Sequence, residues 1–443
     1  MKVLKFGGTS VGSAERMKAV AKLVFNDEPK IVVLSAMSGT TNSLVEISNA
    51  LYKNKTDQAN EIINTLEEKY YKVVDELFSV KEFKEKGKEL LSTHFGLIRS
   101  LMGDDLSDTE DLSSGQAGKK ILSQGELIST GLFHLYLTEQ KIDSVLLPAL
   151  NFMRIDTNSE PDSYYIKENL TRELQLYPDK KLFITQGYIC KNLFGEIDNL
   201  KRGGSDYTAS LIGVAINSEE VQIWTDISGF HNNDPRYVGN TFSISQLSFD
   251  EAAELAYFGA KVLHPSTVLP AKLANIPVRL KNTMKPDDEG TLITDKPTGD
   301  GIKAIAAKDG ITAIKIKSDR MLLAYGFLTK VFQVFEHFET PIDMITTSEV
   351  AVSVTIDDAS RLRRIVEELK KIGEVEVSKN MTIVCLVGHN IMNQKGYIHK
   401  VFEALNYFPL RMISYGGSMH NISILIPSEE KKAVLEALHK SLF

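Results

Sequence analysis

Up to about Thr291, short β-rich apolar runs alternate with amphipathic helical stretches, and this rhythm constrains the fold more than any single residue. The runs are Val3–Phe6, Ile31–Ala36, Ser144–Pro148, Leu182–Ile189, Val221–Thr225 and Pro277–Leu280. Helical patterns such as Asn42–Tyr52, Gly118–Glu139, Ser205–Asn217, Ser248–Phe258 and Ser266–Ala274 lie between them. Strand–helix alternation predicts an α/β fold with a mostly parallel sheet and helices on both faces. A long, charged, strand-free stretch at about 57–102 breaks the rhythm and reads as a helical insertion.

The first domain is expected to span 1–291, because turn-formers and charges then crowd Lys285–Gly290 and Asp295–Gly301. A linker is placed at 292–301. Beyond it lies an internal repeat, in which Gly326-Phe-Leu-Thr-Lys-Val-Phe332 returns as Gly396-Tyr-Ile-His-Lys-Val-Phe402. Each copy follows an apolar strand and precedes a helix, two strands and a last helix. That pattern is a split βαβ arrangement, here over 302–378 and 379–443. Ile302–Ala306 and Glu374–Val377 are candidates for exchange between the two copies.

Chemistry-bearing residues gather at predicted strand ends, where open α/β sheets bind their ligands. Lys5-Phe-Gly-Gly-Thr-Ser10 joins the first strand to a helical run from Ser13. Lys5 offers a cation, Gly7 and Gly8 let backbone N–H groups approach an anion, and Thr9 and Ser10 add hydroxyls. A plain strand-to-helix turn would also use two glycines. The wording is neither the dinucleotide fingerprint nor the Walker loop. Ser35-Ala-Met-Ser-Gly-Thr-Thr41, Lys201-Arg-Gly-Gly-Ser-Asp206 and Trp224-Thr-Asp226 end or follow other strands. Helix capping alone could place Ser205 or Asp206, and dipole complementarity alone could place Glu126.

A net charge of −7 over 443 residues argues against a general nucleic-acid binder, so any phosphate site must be local. No apolar run is long enough for a bilayer and no leader precedes the first strand, so the expected compartment is the cytoplasm. Cys190 and Cys385 sit in apolar runs and read as buried reduced thiols.

The ordered set Lys5-Phe-Gly-Gly-Thr-Ser, Leu34-Ser-Ala-Met-Ser-Gly-Thr-Thr-Asn42, Gly125-Glu126, Arg202-Gly-Gly-Ser-Asp206, Trp224-Thr-Asp226, Asp234-Pro-Arg236 and Phe258-Gly-Ala-Lys-Val-Leu-His-Pro265 resembles the aspartate kinases of the amino-acid-kinase superfamily. Asp343-Met-Ile-Thr-Thr-Ser-Glu349 and Ser414-Tyr-Gly-Gly-Ser-Met-His-Asn421 resemble the tandem ACT domains of the lysine-regulated class. The likeness runs over nearly the full length. One departure is Gly229-Phe-His-Asn-Asn-Asp-Pro-Arg236, where Phe230 or His231 replaces a tyrosine that the family carries near its nucleotide. A monofunctional kinase is expected, with no homoserine dehydrogenase portion.

The resemblance implies ATP-dependent phosphorylation of the L-aspartate β-carboxylate, a first step towards lysine, threonine and methionine. ATP would arrive with Mg2+, and no all-protein metal site is expected. Lys5, Asp206 and Lys261 are the implied catalytic residues; without the resemblance, Lys261 reads equally as a snorkelling surface lysine. Thr41, Glu126, Arg202 and Ser205 would hold aspartate. Lys5, Gly7, Gly8, Thr9, Ser10, Thr225, Asp226, Phe230, Arg236 and Lys261 would hold the nucleotide. The alternatives are a kinase acting on glutamate or acetylglutamate, and a catalytically dead ACT sensor. Lysine is the expected effector, held by Met321, Phe327, Leu328, Ile342, Asp343, Thr347 and Ser348 between two copies of the first repeat. Asp343 aligns with Arg411 in the second copy, which implies one effector site per repeat pair. A homodimer or dimer of dimers through the ACT-like domains follows, with no nucleic-acid or membrane partner.

Overall fold

The computed structural model describes residues 1–103, 115–200, 203–259, 263, 265–296, 299–318 and 325–443. Contacts divide the chain into two compact units, Met1–Gly229 with Leu263–Asp295, and Phe230–Val262 with Lys296–Phe443.

In the first unit the strands Val145–Leu147, Leu182–Gln186, Lys30–Leu34, Lys2–Phe6, Val221–Thr225, Val278–Asn282 and Thr291–Thr294 lie side by side in that order. Neighbours are parallel except the last pair, which is antiparallel. Every residue of Lys30–Leu34 and Leu182–Gln186 is buried, as strands covered on both faces require. The register sets Phe6 level with Leu34 and Trp224, and Leu34 level with Gln186. The loops after these strands therefore emerge along one edge of the sheet.

The stretch expected as an insertion forms two helices, Thr56–Leu77 and Lys81–Ser100. The first buries Ala59, Ile63, Leu66, Tyr70, Val73, Val74 and Leu77, an amphipathic stripe at helical spacing. Leu91, Phe95 and Ile98 of the second join the same apolar core as Phe6, Leu34, Leu44 and Phe133. The two helices are thus part of the first unit's own core and not a separate subdomain.

In the second unit one six-stranded sheet runs Ile345–Thr347, Ala351–Ile356, Gly301–Lys317, Glu374–His389, Asn421–Pro427, Met412–Tyr415. Two long central strands serve both repeats. Ala304–Ala307 pair with Val387–Val384, in the second copy, and Ile314–Lys317 pair with Val377–Glu374 of the first. Ile302–Ala306 therefore lies with the second copy's strands, outside the repeat that its position in the chain suggests. Helices Phe327–His337 and Tyr397–Ala404 cover the two halves. Their N-caps, Gly326 and Gly396, have φ of +80° and +90°. That left-handed conformation is why the repeat keeps glycine at this point.

The expected single cut at residue 291 differs from the observed division. Residues 230–259 pack with the C-terminal part: Ile305 N–H donates to Asn232 O (2.9 Å) and Asn233 Nδ2 to Leu435 O (3.2 Å). Glu251, fully buried in the capping box of helix Phe249–Tyr257, pairs with Lys303 at 2.8 Å. Nor is 292–301 a plain linker, since Thr291–Thr294 and Gly301–Lys317 are strands. No helix among the described residues is long and apolar enough to cross a membrane. Cys190 and Cys385 are buried free thiols.

Candidate active site

Lys5 lies one residue before the end of its strand, between Val33 and Ile223 of the neighbouring strands. Its Nζ stands 2.7 Å from Asp206 Oδ1. Asp206 occupies the first turn of helix Gly204–Ala215, whose N-cap is Gly203. A carboxylate there is favoured by the helix dipole and also neutralises the lysine. Both side chains keep some contact with solvent, as a site open to a ligand needs.

The glycine turn follows. Gly7 N–H donates to Trp224 O (3.3 Å), so this donor is committed to the neighbouring strand. Ser38 N–H donates to Gly8 O at 3.2 Å. A Cβ on Gly8 would meet Ala36 O at 2.9 Å, so only glycine lets the two loops approach this closely. The Ser10 hydroxyl is buried and turned inward, 2.7 Å from Thr283 Oγ1. Thr9 O accepts from the Arg16 guanidinium.

Glu126, only 4% exposed, accepts from Ala36 N–H through Oε1 (3.2 Å), while its Oε2 is buried with no partner. Burial pushes its pKa up to about 8, opposed by the Ala36 N–H and the charge of Lys5. Ser205 is buried, and its Oγ accepts from Ser35 Oγ at 2.9 Å. Thr41 is exposed in the first turn of helix Thr40–Tyr52. Thr225 donates from Oγ1 to Asp226 Oδ1 (3.1 Å), and Asp226 is exposed at the end of its strand. Lys5, Gly8, Glu126, Ser205 and Asp206 are thus brought to one edge of the sheet.

Arg202, Lys261 and Met321 lie outside the described residues. Phe230 and Arg236 belong to the second unit: Phe230 is buried, and Arg236 forks onto Asp234 with contacts of 2.9 and 2.6 Å. Among the described residues no group of three or more His, Cys, Asp or Glu could hold a metal ion.

In the second unit, Phe327 packs into the first repeat's core with Ile342 against it, while Leu328, Thr347 and Ser348 are exposed. The Asp343 carboxylate is only 2% exposed and already engaged. Its Oδ1 accepts from Lys308 Nζ (2.7 Å) and Tyr257 OH (2.8 Å), and its Oδ2 is buried without a partner. Burial works against the Lys308 charge, but Asp343 and Asp357 outweigh it and raise the ammonium's pKa.

Sequence reasoning missed three contributors. Ser35 carries the hydroxyl that fixes Ser205, and its position in a hydroxyl-rich strand end was the available signal. Thr283 anchors the turn after the first strand through the Ser10 hydroxyl. Lys308 occupies Asp343, and nothing in its local sequence marks it.

A parallel sheet whose strand-end glycine loops carry a lysine–aspartate pair, together with a tandem βαββα sheet, defines an amino-acid kinase joined to ACT domains. Residues 1–282 match the amino acid kinase family and residues 384–442 match an ACT domain. The chain is 34% identical to lysine-sensitive aspartokinase 3 of Escherichia coli, covering 100% of this chain and 99% of that one. It is 36% identical to chloroplastic aspartokinase 2 of Arabidopsis thaliana, over 100% of this chain and 84% of the relative. The crystal structure of E. coli aspartokinase III with aspartate and ADP (R-state) superposes with a TM-score of 0.83 at 34% identity, covering 100% of both chains. The T-state structure with lysine and aspartate gives 0.86 at 34% identity, covering 100% of this chain and 99% of the other. The chain belongs to the aspartokinases.

Proposed function

We propose that the chain transfers the γ-phosphoryl group of ATP to the β-carboxylate of L-aspartate, giving 4-phospho-L-aspartate and ADP. The observation that carries this reading is the Lys5–Asp206 ion pair at the strand ends, beside the turn at Gly7 and Gly8. The acceptor carboxylate has a reference pKa of about 4, so at neutral pH it is already the nucleophile and needs no base. The obstacle is electrostatic, because an anion must approach a polyanion in line. Catalysis therefore rests on positioning and on fixed positive charge.

Lys5 stabilises the transferring phosphoryl oxygens, and Asp206 holds its ammonium in place. Lys261 supplies a second cation. The loop at Gly8 and Thr9 cradles the phosphates, with Gly7 tying it to the sheet; Ser10, expected to add a hydroxyl there, is instead committed inward to Thr283. Thr225 and Asp226 belong to the nucleotide site. Glu126 takes the α-ammonium of aspartate, Arg202 forks onto its α-carboxylate, and Thr41 and Ser205 add hydroxyl contacts. Mg2+ would accompany ATP and offset part of the charge on its phosphates.

Lysine inhibits through the first repeat, at an interface between two copies. The α-carboxylate meets N–H groups at the start of helix Phe327–His337, and Asp343 receives an ammonium. Its unpartnered Oδ2 supports that role. Inhibition requires lysine to favour an inactive arrangement, so lysine and aspartate oppose one another reciprocally. The test is a coupled ADP-release assay with aspartate, glutamate and acetylglutamate as acceptors, repeated with added lysine or threonine. Turnover of aspartate alone, suppressed by lysine, is the expected result. Turnover of glutamate or acetylglutamate instead, or none with any acceptor, would overturn it.

A further inference from the structure

The helix Thr56–Leu77 has no place in the strand–helix rhythm, yet it touches the site directly. Its buried stripe is aliphatic except for Tyr70, which is fully buried. A phenol in such a place must find a partner, because an orphaned buried hydroxyl is costly. Tyr70 OH lies 2.9 Å from Thr40 Oγ1, and Thr40 is itself fully buried. The preceding residue reaches the other side of the same turn, with Lys69 Nζ donating to Ser38 O at 2.7 Å. Two consecutive residues of one helix therefore grip Ser38 and Thr40 on either side of Gly39, which is left-handed with φ +81°.

That turn is the meeting point of the proposed site. Ser38 N–H is bonded to Gly8 O of the phosphate-type loop (3.2 Å), and Ala36 N–H to the buried Glu126 carboxylate (3.2 Å). Thr41 follows directly in the chain. A loop joined to the anion site on one side and to the ammonium site on the other sets the distance between donor and acceptor. Misplacement by an ångström is enough to slow an in-line transfer substantially. The second helix braces the arrangement, since the Phe95 ring packs edge-on against Tyr70 at 6.0 Å between centroids.

We propose that Lys69 and Tyr70 are positioning residues for phosphoryl transfer, and that the helical insertion at 56–100 serves as a clamp holding the Ser38–Thr41 turn in register with Gly8. The proposal rests on the reading of Thr41 and Glu126 as aspartate contacts. Neither residue touches the reacting atoms, so both act through the turn.

Two substitutions test it. Tyr70→Phe removes one hydroxyl and keeps the ring, while Lys69→Met removes the ammonium and keeps a side chain of similar length. Each should raise KM for aspartate and lower kcat, together costing about tenfold in kcat/KM for aspartate, with KM for ATP changed less than about twofold. Lys69→Arg, which keeps a long cationic donor, should recover most of the loss. Amide hydrogen exchange in a peptide covering 36–44 should quicken in Lys69→Met and Tyr70→Phe, and should be restored in Lys69→Arg. Wild-type kinetics with unchanged exchange would overturn the clamp. So would an equal rise in both Michaelis constants accompanied by a lower melting temperature, since that reports general loosening. Glu126→Gln separates the two layers. If it leaves KM for aspartate untouched, the aspartate assignment fails; if it raises that KM while the Lys69 and Tyr70 variants do not, only the clamp fails.

Discussion

Lys308 Nζ lies 2.7 Å from Asp343 Oδ1, so the carboxylate proposed to receive an effector ammonium already holds one from its own chain. Lys308 is shared with Asp357 at 2.8 Å, and Tyr257 OH donates to the same Asp343 oxygen. An arriving lysine either displaces this internal ammonium or takes the free Oδ2 beside it. In both geometries Lys308 opposes effector binding through like charge or competition.

The first prediction follows from that sign. Lys308→Met should lower the lysine concentration for half-inhibition several-fold, because it removes the cation that competes for the buried Asp343 carboxylate. Asp343→Ala should raise that concentration by at least about tenfold, as loss of a charged hydrogen-bond partner predicts. Lysine titrations of ADP release check both. A rise in Lys308→Met equal to that in Asp343→Ala would show that Lys308 supports the site and does not compete for it.

Lys5 is expected to act on the transition state more than on ATP binding. Lys5→Ala should reduce kcat by roughly a hundredfold or more, the cost of removing one preorganised donor to developing charge. Asp206→Asn keeps the shape but loosens the ammonium, so a smaller fall in kcat is expected. Steady-state kinetics with ATP varied decide the matter. A Lys5 variant with normal turnover and only a raised KM for ATP would make the residue a plain binding group.

Glu126 gives a pH dependence with a defined direction. Its pKa near 8 in the free protein means that it is mostly protonated at neutral pH, whereas an ammonium partner requires the carboxylate. Aspartate binding should then release a proton, and KM for aspartate should fall as pH rises from 7 towards 8. Because the folded pKa lies above the ordinary carboxylate value of 4.5, the folded protein binds the extra proton between those limits. Ligand-free stability therefore declines as pH rises through that window. Glu126→Gln should flatten both profiles and raise KM for aspartate, measured by initial rates and thermal melts across pH 5 to 9.

Arg202 is expected to need its planar fork and not merely its charge. Arg202→Lys should raise KM for aspartate about tenfold or more while leaving KM for ATP nearly unchanged, because a point charge cannot make paired bonds to a carboxylate. Substrate-saturation curves for both substrates are the measurement. Equal weakening of both would assign Arg202 to the loop's conformation.

The sequence by itself determined the elements and the class of chemistry. Runs such as Ile31–Ala36 are β-rich and apolar over a few residues, and Gly326 and Gly396 mark helix starts through a local need for positive φ, so both are legible without distant partners. Lys5 beside Gly7 and Gly8 is legible for the same reason. What tertiary structure decided were the meetings between segments far apart in the chain. Asp206 pairs with Lys5 because parallel register brings a strand end and a helix start together. Residues 230–259 leave the catalytic unit because Asn232, Asn233 and Glu251 find their partners at Ile305, Leu435 and Lys303. The exchange at 302–306, the grip of Lys69 and Tyr70 on the turn at Gly39, and the seat of Lys308 at Asp343 belong to the same class. Periodicity reports which face of an element is buried, but it carries no record of which distant residue that face will meet. Long-range pairing is settled only when the whole core closes and each buried polar group must be satisfied.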